Sequence, residues 1–557
     1  MNNKQDQVSL IPLSGVGDVT RNMYVYQYQD QILIVDCGLG FADETMLGVD
    51  LLIPDITYLQ NAIKQGKKIV GMLITHGHED HMGALPFILP QLPDFPIYAT
   101  TFCANLANGK LKEFGVTKKV EAVPLDQDHE LHLGVFSAQF IRVTHSVPDT
   151  SHIFIRTPIG NFYHGSDFKI DETPFDNKKT DKEKIKRLAA QGVMCMLSDC
   201  LGAERQGHVP TEATLTDFFF DEMKKTQGKF IVTTYSSNIN RLNQVLQAAQ
   251  KLGRRVCFVG RSLVNTVEVA KMLKLINLPK GMEIRMDEIK QYKNNQLVLF
   301  VAGSQGQENS ALTRIANREH KDVRLTPQDT VVFSSDPIPG NEISVNTLID
   351  TLMRIGTNVV YSSIAHVHVS GHGSTDELGE LIDMVKPKKL FPIGGNFKHM
   401  VAYQKLAMQK GYNKQDIFLP EDGQEIVFTK NGAAFGQKFM VRRVYVDQIS
   451  GEEIESYVLR DRQKLSQDGV VAIIAEIDGE IGGLTQNPTV IVRGFSDKDT
   501  DMLIKVVQKE MQKMFATKKG RITNFMYVRR MIGKTIEEKL FRQYRKKPLI
   551  LPVVIEV

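Results

Sequence analysis

A dense cluster of potential metal ligands follows a predicted strand near the start of the chain. Residues 75–81 contain His76, His78, Asp80 and His81, directly after an apolar run. His76 and His78 are separated by one glycine, so their rings can converge on one ion, while Asp80 and His81 can face a second. Imidazole and carboxylate ligands without thiolates suit Zn²⁺ or Mn²⁺ in a hydrolytic site. The alternative, a solvated histidine-rich loop, is rarer than a metal site for such clusters.

Other predicted strands of the first part also end in polar residues. One strand covers 31–36, a second ends at His145, and a third leads through 162–163 to Asp167. Sites of α/β proteins are usually built at the carboxyl ends of strands. These ends are therefore expected to meet near the 75–81 cluster.

Size and composition limit the classes of protein to consider. The chain has 557 residues, a formal charge of +4 and five scattered cysteines. The length predicts three or four domains. Without a C-x-x-C pair the cysteines are expected to be reduced, as in a cytosolic protein. No signal-peptide core and no membrane-spanning run is evident, so we expect a cytoplasmic protein without a membrane partner.

The middle of the chain, about 205–364, has a different pattern of predicted secondary structure. Short apolar strands alternate with helical patterns, which predicts βαβ units and a parallel sheet. Glycine or serine follows most of the strands, at 236–238, 260–262, 303–306 and 334–335. Such turns offer backbone N–H groups to anions, although glycine and serine are also ordinary loop residues. Together they favour a phosphate-binding face.

The last third contains a histidine-rich loop and a basic end. Residues 365–428 are too few for a domain and are expected to return to the first one. From about 444 the pattern predicts a strand pair, an amphipathic helix and a basic tail that includes Lys518, Lys519 and Arg521. The basic residues fit a solvated helix face and an RNA- or partner-contacting surface about equally well.

The spacing of the ligands resembles the metallo-β-lactamase fold. His145 stands in Thr-His-Ser-Val-Pro-Asp and Asp167 in Gly-Ser-Asp-Phe-Lys. The inserted α/β segment and the His-Val-Ser-Gly-His stretch at 368–372 resemble the β-CASP branch, whose members cut nucleic acids. Nearly the whole chain is similar to the bacterial ribonuclease J family. Further matching segments are 15–17, 46–50, 53–56, 337–342, 459–462 and 545–548.

The resemblance implies an α/β fold: a metallo-β-lactamase αββα sandwich with an inserted β-CASP α/β domain and a small α+β C-terminal domain. The predicted boundaries are 1–205 for the first part of the metallo-β-lactamase domain, 206–365 for the β-CASP domain, 366–430 for the return, 431–450 for a linker and 451–557 for the C-terminal domain.

The resemblance also implies up to two zinc positions, with Mn²⁺ as the alternative ion. Three histidines would hold the first ion, and two residues would hold the second, with an aspartate bridging: His76, His78 and His145, then Asp80 and His81, and Asp167 as the bridge. Two neighbouring cations can activate a water and neutralise charge on a phosphodiester.

The 368–372 loop would bind the RNA. Its residues are His368, Val369, Ser370, Gly371 and His372, and Asn238 would add a phosphate contact. Either histidine can stabilise developing charge or donate a proton, and we assign catalysis to Asp80 and His372. His368 on its own would be better interpreted as a core histidine.

The sequence departs from the family pattern at the end of a later strand. Active members carry His-Gly-Glu there, and that histidine completes the second metal site. This chain has Gly394, Gly395 and Asn396 instead. Loss even of a residue that only supports a ligand typically costs about 10–100-fold in affinity or activity. A second departure is Cys200-Leu201, where Ser-Thr is usual. The pattern fits the second, diverged paralogue of Gram-positive bacteria.

Two functions remain open at this point. The first is a metal-dependent ribonuclease, a 5′→3′ exonuclease with some endonuclease activity in mRNA decay and rRNA maturation, weakened at its second metal site. The second is a largely non-catalytic subunit that stabilises an active paralogue. A small-molecule metallohydrolase does not explain the inserted segment. The implied partners are single-stranded RNA with a 5′-monophosphate, a ribonuclease J paralogue, a second copy in a homodimer or higher oligomer, and RNA degradosome components.

Overall fold

The computed structural model describes residues 6–42, 46–338, 340–447, 451–516 and 524–557. Pro339 of the 337–342 match, residues 448–450 of the predicted linker, and Lys518, Lys519 and Arg521 of the basic tail lie outside these ranges. The chain divides into two compact units. The first comprises Met1–Phe41 and Leu52–Val444, and the second comprises Ala42–Leu51 and Tyr445–Val557.

Two mixed β-sheets pack face to face in the first unit and share one hydrophobic core. In spatial order, the eight strands of the first sheet are Gly432–Lys438, Gln424–Thr429, Gln7–Ser14, Met23–Tyr28, Gln31–Val35, Lys68–Ile74, Ile97–Thr100 and Glu121–Val123. The six of the second are Lys389–Ile393, Cys195–Asp199, Gly160–His164, Ser151–Thr157, Phe136–Arg142 and Leu131–Leu133.

Helices flank both sheets. Those beside the first sheet are Thr57–Lys64 and Thr101–Glu113, and those beside the second are Lys182–Ala189, Thr375–Val385 and Phe397–Gln409. This is the predicted metallo-β-lactamase αββα sandwich. One-turn helices also lie at Glu79–Met82 and Leu85–Ile88.

The inserted segment forms a five-stranded, fully parallel sheet, as its βαβ pattern predicts. Its strands, in spatial order, are Arg255–Val259, Leu297–Val301, Phe230–Thr233, Thr330–Phe333 and Asn358–Val360. Alternate side chains enter two separate cores on the two faces, because successive residues of a strand point to opposite sides. The helices are Leu215–Lys225, Ile239–Lys251, Arg261–Met272, Ala311–Ala316 and Glu342–Arg354.

The predicted linker at 431–450 is wrong in part. Gly432–Lys438 pairs with Gln424–Thr429 as an antiparallel hairpin and adds an edge strand to the eight-stranded sheet. A two-residue Lys430-Asn431 connection closes the hairpin, and Asn-Gly at its end is a typical hairpin signal. The return of the chain to both sandwich sheets begins earlier, at Lys389–Ile393 and Gln424–Thr429.

The second unit is an α+β fold around a three-stranded sheet, in the order Thr489–Arg493, Val470–Ile477, Leu549–Glu556. Helices Asp497–Ala516 and Phe525–Tyr544 pack on one face, and Ser456–Asp468 contacts the last strand. Where it is described, the predicted basic tail forms the helix Phe525–Tyr544 and the strand Leu549–Glu556, in keeping with the solvated helix face that the sequence left open. Basic residues occupy the exposed side of the helix, and Val528, Ile532, Ile536 and Leu540 bury the other side.

The remaining elements are short. Strands Gly40–Phe41, Leu51–Ile53, Val444–Val446 and Glu453–Ile454, and 3-10 turns Leu89–Gln91, Glu212–Thr214, Met286–Gln291, Asn294–Gln296 and Lys414–Asp416, complete the described structure. All five cysteines are free and buried. Within the described ranges, no helix combines the length and the apolar character that crossing a bilayer would require.

Candidate metal centre

Parallel strands of both sandwich sheets end beside the candidate site. Gln31–Val35 and Lys68–Ile74 run parallel, so Asp36 and the 75–81 segment follow at the same edge. Gly160–His164, Cys195–Asp199 and Lys389–Ile393 are also mutually parallel, and Asp167, Asp199 and Gly394 lie at or just beyond their carboxyl ends. The topology therefore gathers these residues from distant parts of the sequence.

Asp36 fixes the shape of the 75–81 segment. Its carboxylate accepts hydrogen bonds from the backbone N–H of Thr75 at 2.8 Å and from the Thr75 hydroxyl at 3.0 Å. The same carboxylate lies 2.7 Å from Nδ1 of His81. Asp36 itself has a φ of +63°, a conformation that non-glycine residues adopt mainly where the surroundings require it. Sequence reasoning placed this strand end near the cluster but assigned no role to Asp36.

The first ligand group contains His76, His78, His145 and Asp167, whose ligand atoms all lie within 4.8 Å of one another. Nδ1 of His78 is 3.1 Å from Nε2 of both other histidines. Oδ2 of Asp167 is 3.7 Å from Nε2 of His76 and of His145. Four predicted ligands thus converge on one position.

The protonation states of the three histidines in this group are those that bind a cation. Nδ1 of His145 lies 2.7 Å from the carbonyl oxygen of Gly371, which can only accept, so Nδ1 carries the hydrogen and Nε2 presents its lone pair to the group. Burial lowers the pKa of His76, His78 and His145, to about 3 for His78, and keeps the rings neutral. Neutral imidazoles and a carboxylate are the forms that bind Zn²⁺ or Mn²⁺.

The second ligand group is smaller: Asp80, His81 and Asp167. Nε2 of His81 is 3.6 Å from Oδ2 of Asp80 and 3.5 Å from Oδ1 of Asp167. Since Nδ1 of His81 faces Asp36, its Nε2 is directed into the group. Asp167 belongs to both groups, which is the arrangement that its predicted bridging role requires.

Gly394 faces the second group. A Cβ atom built on it would lie 3.6 Å from Oδ1 of Asp167 and 3.9 Å from Oδ1 of Asp199. His399 does not replace the missing ligand: its Nδ1 accepts from the backbone N–H of Asn396 at 3.2 Å, and its Nε2 is 3.4 Å from Glu204. Among the residues that the structure describes, His399 belongs to none of the ligand groups.

His372 and Asp199 lie beside the two groups and form, with Asp167, a third set of potential ligand atoms within 4.8 Å of one another. Nδ1 of His372 lies 2.7 Å from Oδ2 of Asp199, and its Nε2 lies 3.8 Å from Oδ2 of Asp167. Burial opposes the charged imidazole, but Asp199 and Asp167 outweigh it and raise the pKa of His372 to about 9. Nε2 of His372 is therefore directed at the ligand cluster. Asp199 was not predicted as a site residue, although it too ends a buried strand.

The other predicted RNA-binding residues do not all face the metal centre. Val369 is buried in a core of the inserted domain, so its side chain does not reach RNA. The Ser370 hydroxyl accepts from the backbone N–H of His372 at 3.1 Å. A Cβ atom on Gly371 would lie 2.7 Å from Cε1 of His145, so only glycine fits there without movement of the ring. Asn238 caps the helix Ile239–Lys251, accepting from the backbone N–H of Arg241 at 3.0 Å.

A cluster of buried polar side chains lies next to the ligand groups, at the carboxyl ends of Phe230–Thr233 and Thr330–Phe333. The ring of Tyr235 is 6.4 Å from that of His78 and 6.5 Å from that of His368. Within the described part of the chain, Nδ2 of Asn238, Oγ of Ser335 and Nδ1 of His368 are buried without a hydrogen-bond partner. Buried polar atoms are usually paired, so three unpaired ones point to a polar ligand.

Four protein-family models match consecutive parts of the chain. They are the metallo-β-lactamase superfamily at 16–179, the ribonuclease J β-CASP domain at 227–352, the Zn-dependent metallo-hydrolase RNA specificity domain at 358–420 and the ribonuclease J C-terminal domain at 457–557. Ribonuclease J2 of Bacillus subtilis (strain 168) is 33% identical over 99% of both chains. The chain belongs to the bacterial ribonuclease J family.

Other members of the ribonuclease J family are similarly distant. Ribonuclease J 1 of Streptococcus pyogenes serotype M3 is 34% identical over 99% of this chain and 98% of its own length. Ribonuclease J of Thermus thermophilus is 34% identical over 99% of this chain and 96% of its own length. The overall sequence identity therefore does not show which ribonuclease J paralogue this chain resembles more. A crystal structure of a protein of unknown function from Enterococcus faecalis V583 has a similar fold, with a TM-score of 0.53 and 16% identity, and covers 76% of this chain and 100% of that one.

Membership of the ribonuclease J family supports a metal-dependent, hydrolytic ribonuclease. The RNA specificity domain indicates that RNA is bound. The histidine and aspartate groups provide a metal site consistent with the metallo-β-lactamase superfamily.

Proposed function

We propose that this chain is a 5′→3′ exoribonuclease that also cuts internally, and that it acts in mRNA decay and rRNA maturation in the cytoplasm. The observation that carries the proposal is the position of His372, whose Nε2 lies 3.8 Å from the Asp167 carboxylate that both ligand groups share. A proton donor beside a cation site is what hydrolysis of a phosphodiester needs.

Each of the two ligand groups would hold one metal ion beside the phosphodiester. His76, His78, His145 and Asp167 would hold the first ion, and Asp80, His81 and Asp167 the second. When bound, Zn²⁺ or Mn²⁺ supplies Lewis-acid activation of water and neutralises charge on the phosphodiester. Gly371 accepts from Nδ1 of His145 and Asp36 from Nδ1 of His81, so these two rings are oriented before any ion binds.

Two residues move protons in the proposed reaction. Asp80, a member of the second ligand group, is the proposed base that accepts the proton of the attacking water. The water oxygen forms a bond to phosphorus, and the P–O3′ bond breaks with its electron pair on O3′. Nε2 of His372 gives its proton to O3′. O3′ is the leaving atom because an enzyme that prefers 5′-phosphates must leave a new 5′-phosphate on the shortened RNA.

The cluster of buried polar side chains beside Tyr235 is the proposed binding site for the 5′-monophosphate. Nδ2 of Asn238 and Oγ of Ser335 can donate to phosphate oxygens, and both lack partners among the described residues. Nδ1 of His368 adds a third polar atom. The ring of Tyr235 lies near both His368 and the metal ligand His78, with ring centroids 6.5 Å and 6.4 Å away.

Three RNAs that differ only at the 5′ end test this function. With Mn²⁺ present, 5′-monophosphorylated RNA should be degraded to mononucleotides about tenfold faster or more than triphosphorylated or hydroxyl-ended RNA. Ser335→Ala should reduce that preference, whereas Ser362→Ala, an exposed serine of the same domain, should not. Equal rates on all three RNAs would contradict the proposed 5′-phosphate site. If none of the three RNAs is hydrolysed, the proposed ribonuclease activity is contradicted.

One observation favours a second candidate function. The second ligand group has only three members, and Gly394 leaves the fourth position without a side chain. The chain would then be the diverged paralogue, of low activity, that stabilises an active ribonuclease J in a hetero-oligomer or within an RNA degradosome. Under this alternative, a His76→Ala/His78→Ala variant should stimulate the active paralogue as well as the unaltered chain does. Stimulation that is lost in the variant would favour the enzyme.

A further inference from the structure

A chain of three buried charges connects the inserted domain to the metal-binding sandwich. The side chains of Lys169, Glu212 and Arg241 are at most 4% exposed. Nη2 of Arg241 donates to Oε2 of Glu212 at 2.7 Å, and Nζ of Lys169 lies 3.4 Å from Oε1 of the same carboxylate. Asp171 also approaches Lys169, at 3.6 Å, and accepts from the backbone N–H of Glu212. Buried charges are retained only where paired, since desolvating them costs several kcal/mol per ion.

The two ends of this chain of charges hold the two ends of the 367–373 loop. Arg241 donates from Nη1 to the carbonyl oxygen of Val367 at 3.3 Å, and the Ser334 hydroxyl donates to the same oxygen at 2.6 Å. At the other end the backbone N–H of Gly373 donates to the carbonyl oxygen of Phe168 at 2.7 Å. Phe168 immediately precedes Lys169 in the sequence.

Glu212 therefore closes a ring of contacts around the loop that carries His372. The ring runs from Val367 through Arg241, Glu212 and Lys169 to Gly373. Lys169 is also held by its backbone, which exchanges hydrogen bonds with Thr144, the neighbour of the ligand His145. The distance between His372 and Asp167 is thus set from both sides of the domain junction.

We propose that Glu212 and Arg241 are positioning residues for the proton donor His372. The inference rests on the proposed hydrolysis, in which His372 protonates the leaving O3′. Without the Glu212 charge, the link between Arg241 and Lys169 is lost, so the two ends of the loop are joined less firmly and His372 shifts relative to the scissile bond. Because a displacement of about 1 Å near reacting groups can cost roughly 10²-fold in rate, the loss should fall on kcat. Neither residue contacts a metal ligand through its side chain.

A sulfur-substituted RNA separates positioning of the donor from general damage. In a 3′-S-phosphorothiolate linkage the leaving atom is sulfur, which departs as a thiolate and needs no proton. Glu212→Gln should lower kcat about tenfold or more on the ordinary linkage, change KM little, and lose much less on the sulfur linkage. Arg241→Lys, which keeps the charge but not the planar fork that reaches Glu212 and Val367 together, should behave in the same way.

A buried acid elsewhere in the same domain provides the matched control. Asp329 is 0% exposed and pairs with Lys229 at 2.9 Å, far from the loop in sequence, so Asp329→Asn should affect both linkages equally. If the Glu212 and Arg241 variants lose activity equally on both linkages, positioning of the donor is contradicted while the ribonuclease stands. If either the Glu212→Gln or the Arg241→Lys variant does not fold, the remaining variant tests the proposal by itself. If the unaltered chain hydrolyses neither linkage, the proposed function itself fails, and the inference fails with it.

Discussion

At the scale of single residues, position 394 is the most informative. Its φ of +67° and its direction toward Asp167 mean that a side chain there would enter the second ligand group. Gly394→His should raise Mn²⁺-dependent activity about tenfold or more and add a second bound ion, because a fourth ligand is restored. Strain from the left-handed backbone, on the order of 1–3 kcal/mol, should lower thermal stability.

Gly253→His is the control for this substitution. Gly253 has nearly the same φ, +66°, and open space around its Cβ position. It should show the loss of stability without any gain in metal or activity. Bound metal per chain, measured by elemental analysis, distinguishes the two. A Gly394→His protein with unchanged metal content would mean that other residues limit the second group.

Asp199 is predicted to act through His372. Asp199→Asn removes the charge that favours the imidazolium, so hydrolysis should fall about 10–100-fold while the first ion stays bound, since Asp199 is not in that ligand group. Steady-state rates and metal content of the same sample provide the measurement. Loss of the ion together with the activity would indicate that Asp199 supports the metal instead.

Residue types and spacing predicted the ligands better than their supports. The 75–81 cluster, His145 and Asp167 were predicted because histidines close in sequence are conspicuous, and the structure brings all of them together. Asp36 and Asp199 were assigned no role because a single aspartate at a strand end has no distinctive spacing. Their roles become visible only when parallel strands place them beside His81 and His372.

At the scale of elements, the 367–373 loop depends on a glycine. Gly371 packs so closely on His145 that a methyl group would lie 2.7 Å from Cε1 and 2.9 Å from Nδ1 of the ring. Gly371→Ala should therefore displace His145, weaken the first ion and reduce activity about 10–100-fold. Gly109→Ala, on a helix with no atom near its Cβ position, should leave metal binding unchanged. If both variants retain the metal, the loop moves to accommodate the added methyl group and His145 is not displaced.

Most elements of the inserted domain could be predicted, and those of the C-terminal domain only in part. Buried parallel strands such as Leu297–Val301 read as continuous apolar runs, which periodicity detects easily. The helix Phe525–Tyr544 was not predicted, because its arginines and lysines obscure the apolar pattern. Its buried residues nevertheless recur every four positions, at Val528, Ile532, Ile536 and Leu540. The strand Leu549–Glu556 pairs with a partner about 80 residues earlier, a contact that local patterns do not reveal.

At the scale of the whole molecule, buried charge should link stability to pH. Burial opposes the charge of Glu212, but Arg241 and Lys169 outweigh it and lower its pKa to about 2 from a usual value near 4.5. A depressed pKa contributes stability above pH 4.5 that is lost as pH falls toward 2. The difference in Tm between the unaltered chain and Glu212→Gln should thus shrink between pH 6 and pH 3. A difference that stays constant would mean that the charge of Glu212 contributes little.

The central claim is that the first ligand group makes this chain a metal-dependent ribonuclease. The most direct test is hydrolysis of 5′-monophosphorylated single-stranded RNA with Mn²⁺, by the purified chain and by its His76→Ala/His78→Ala variant, with bound metal measured in both. We predict hydrolysis and bound metal in the unaltered chain and the loss of both in the variant. Equal hydrolysis by the two proteins, or none by the unaltered chain, would contradict the account.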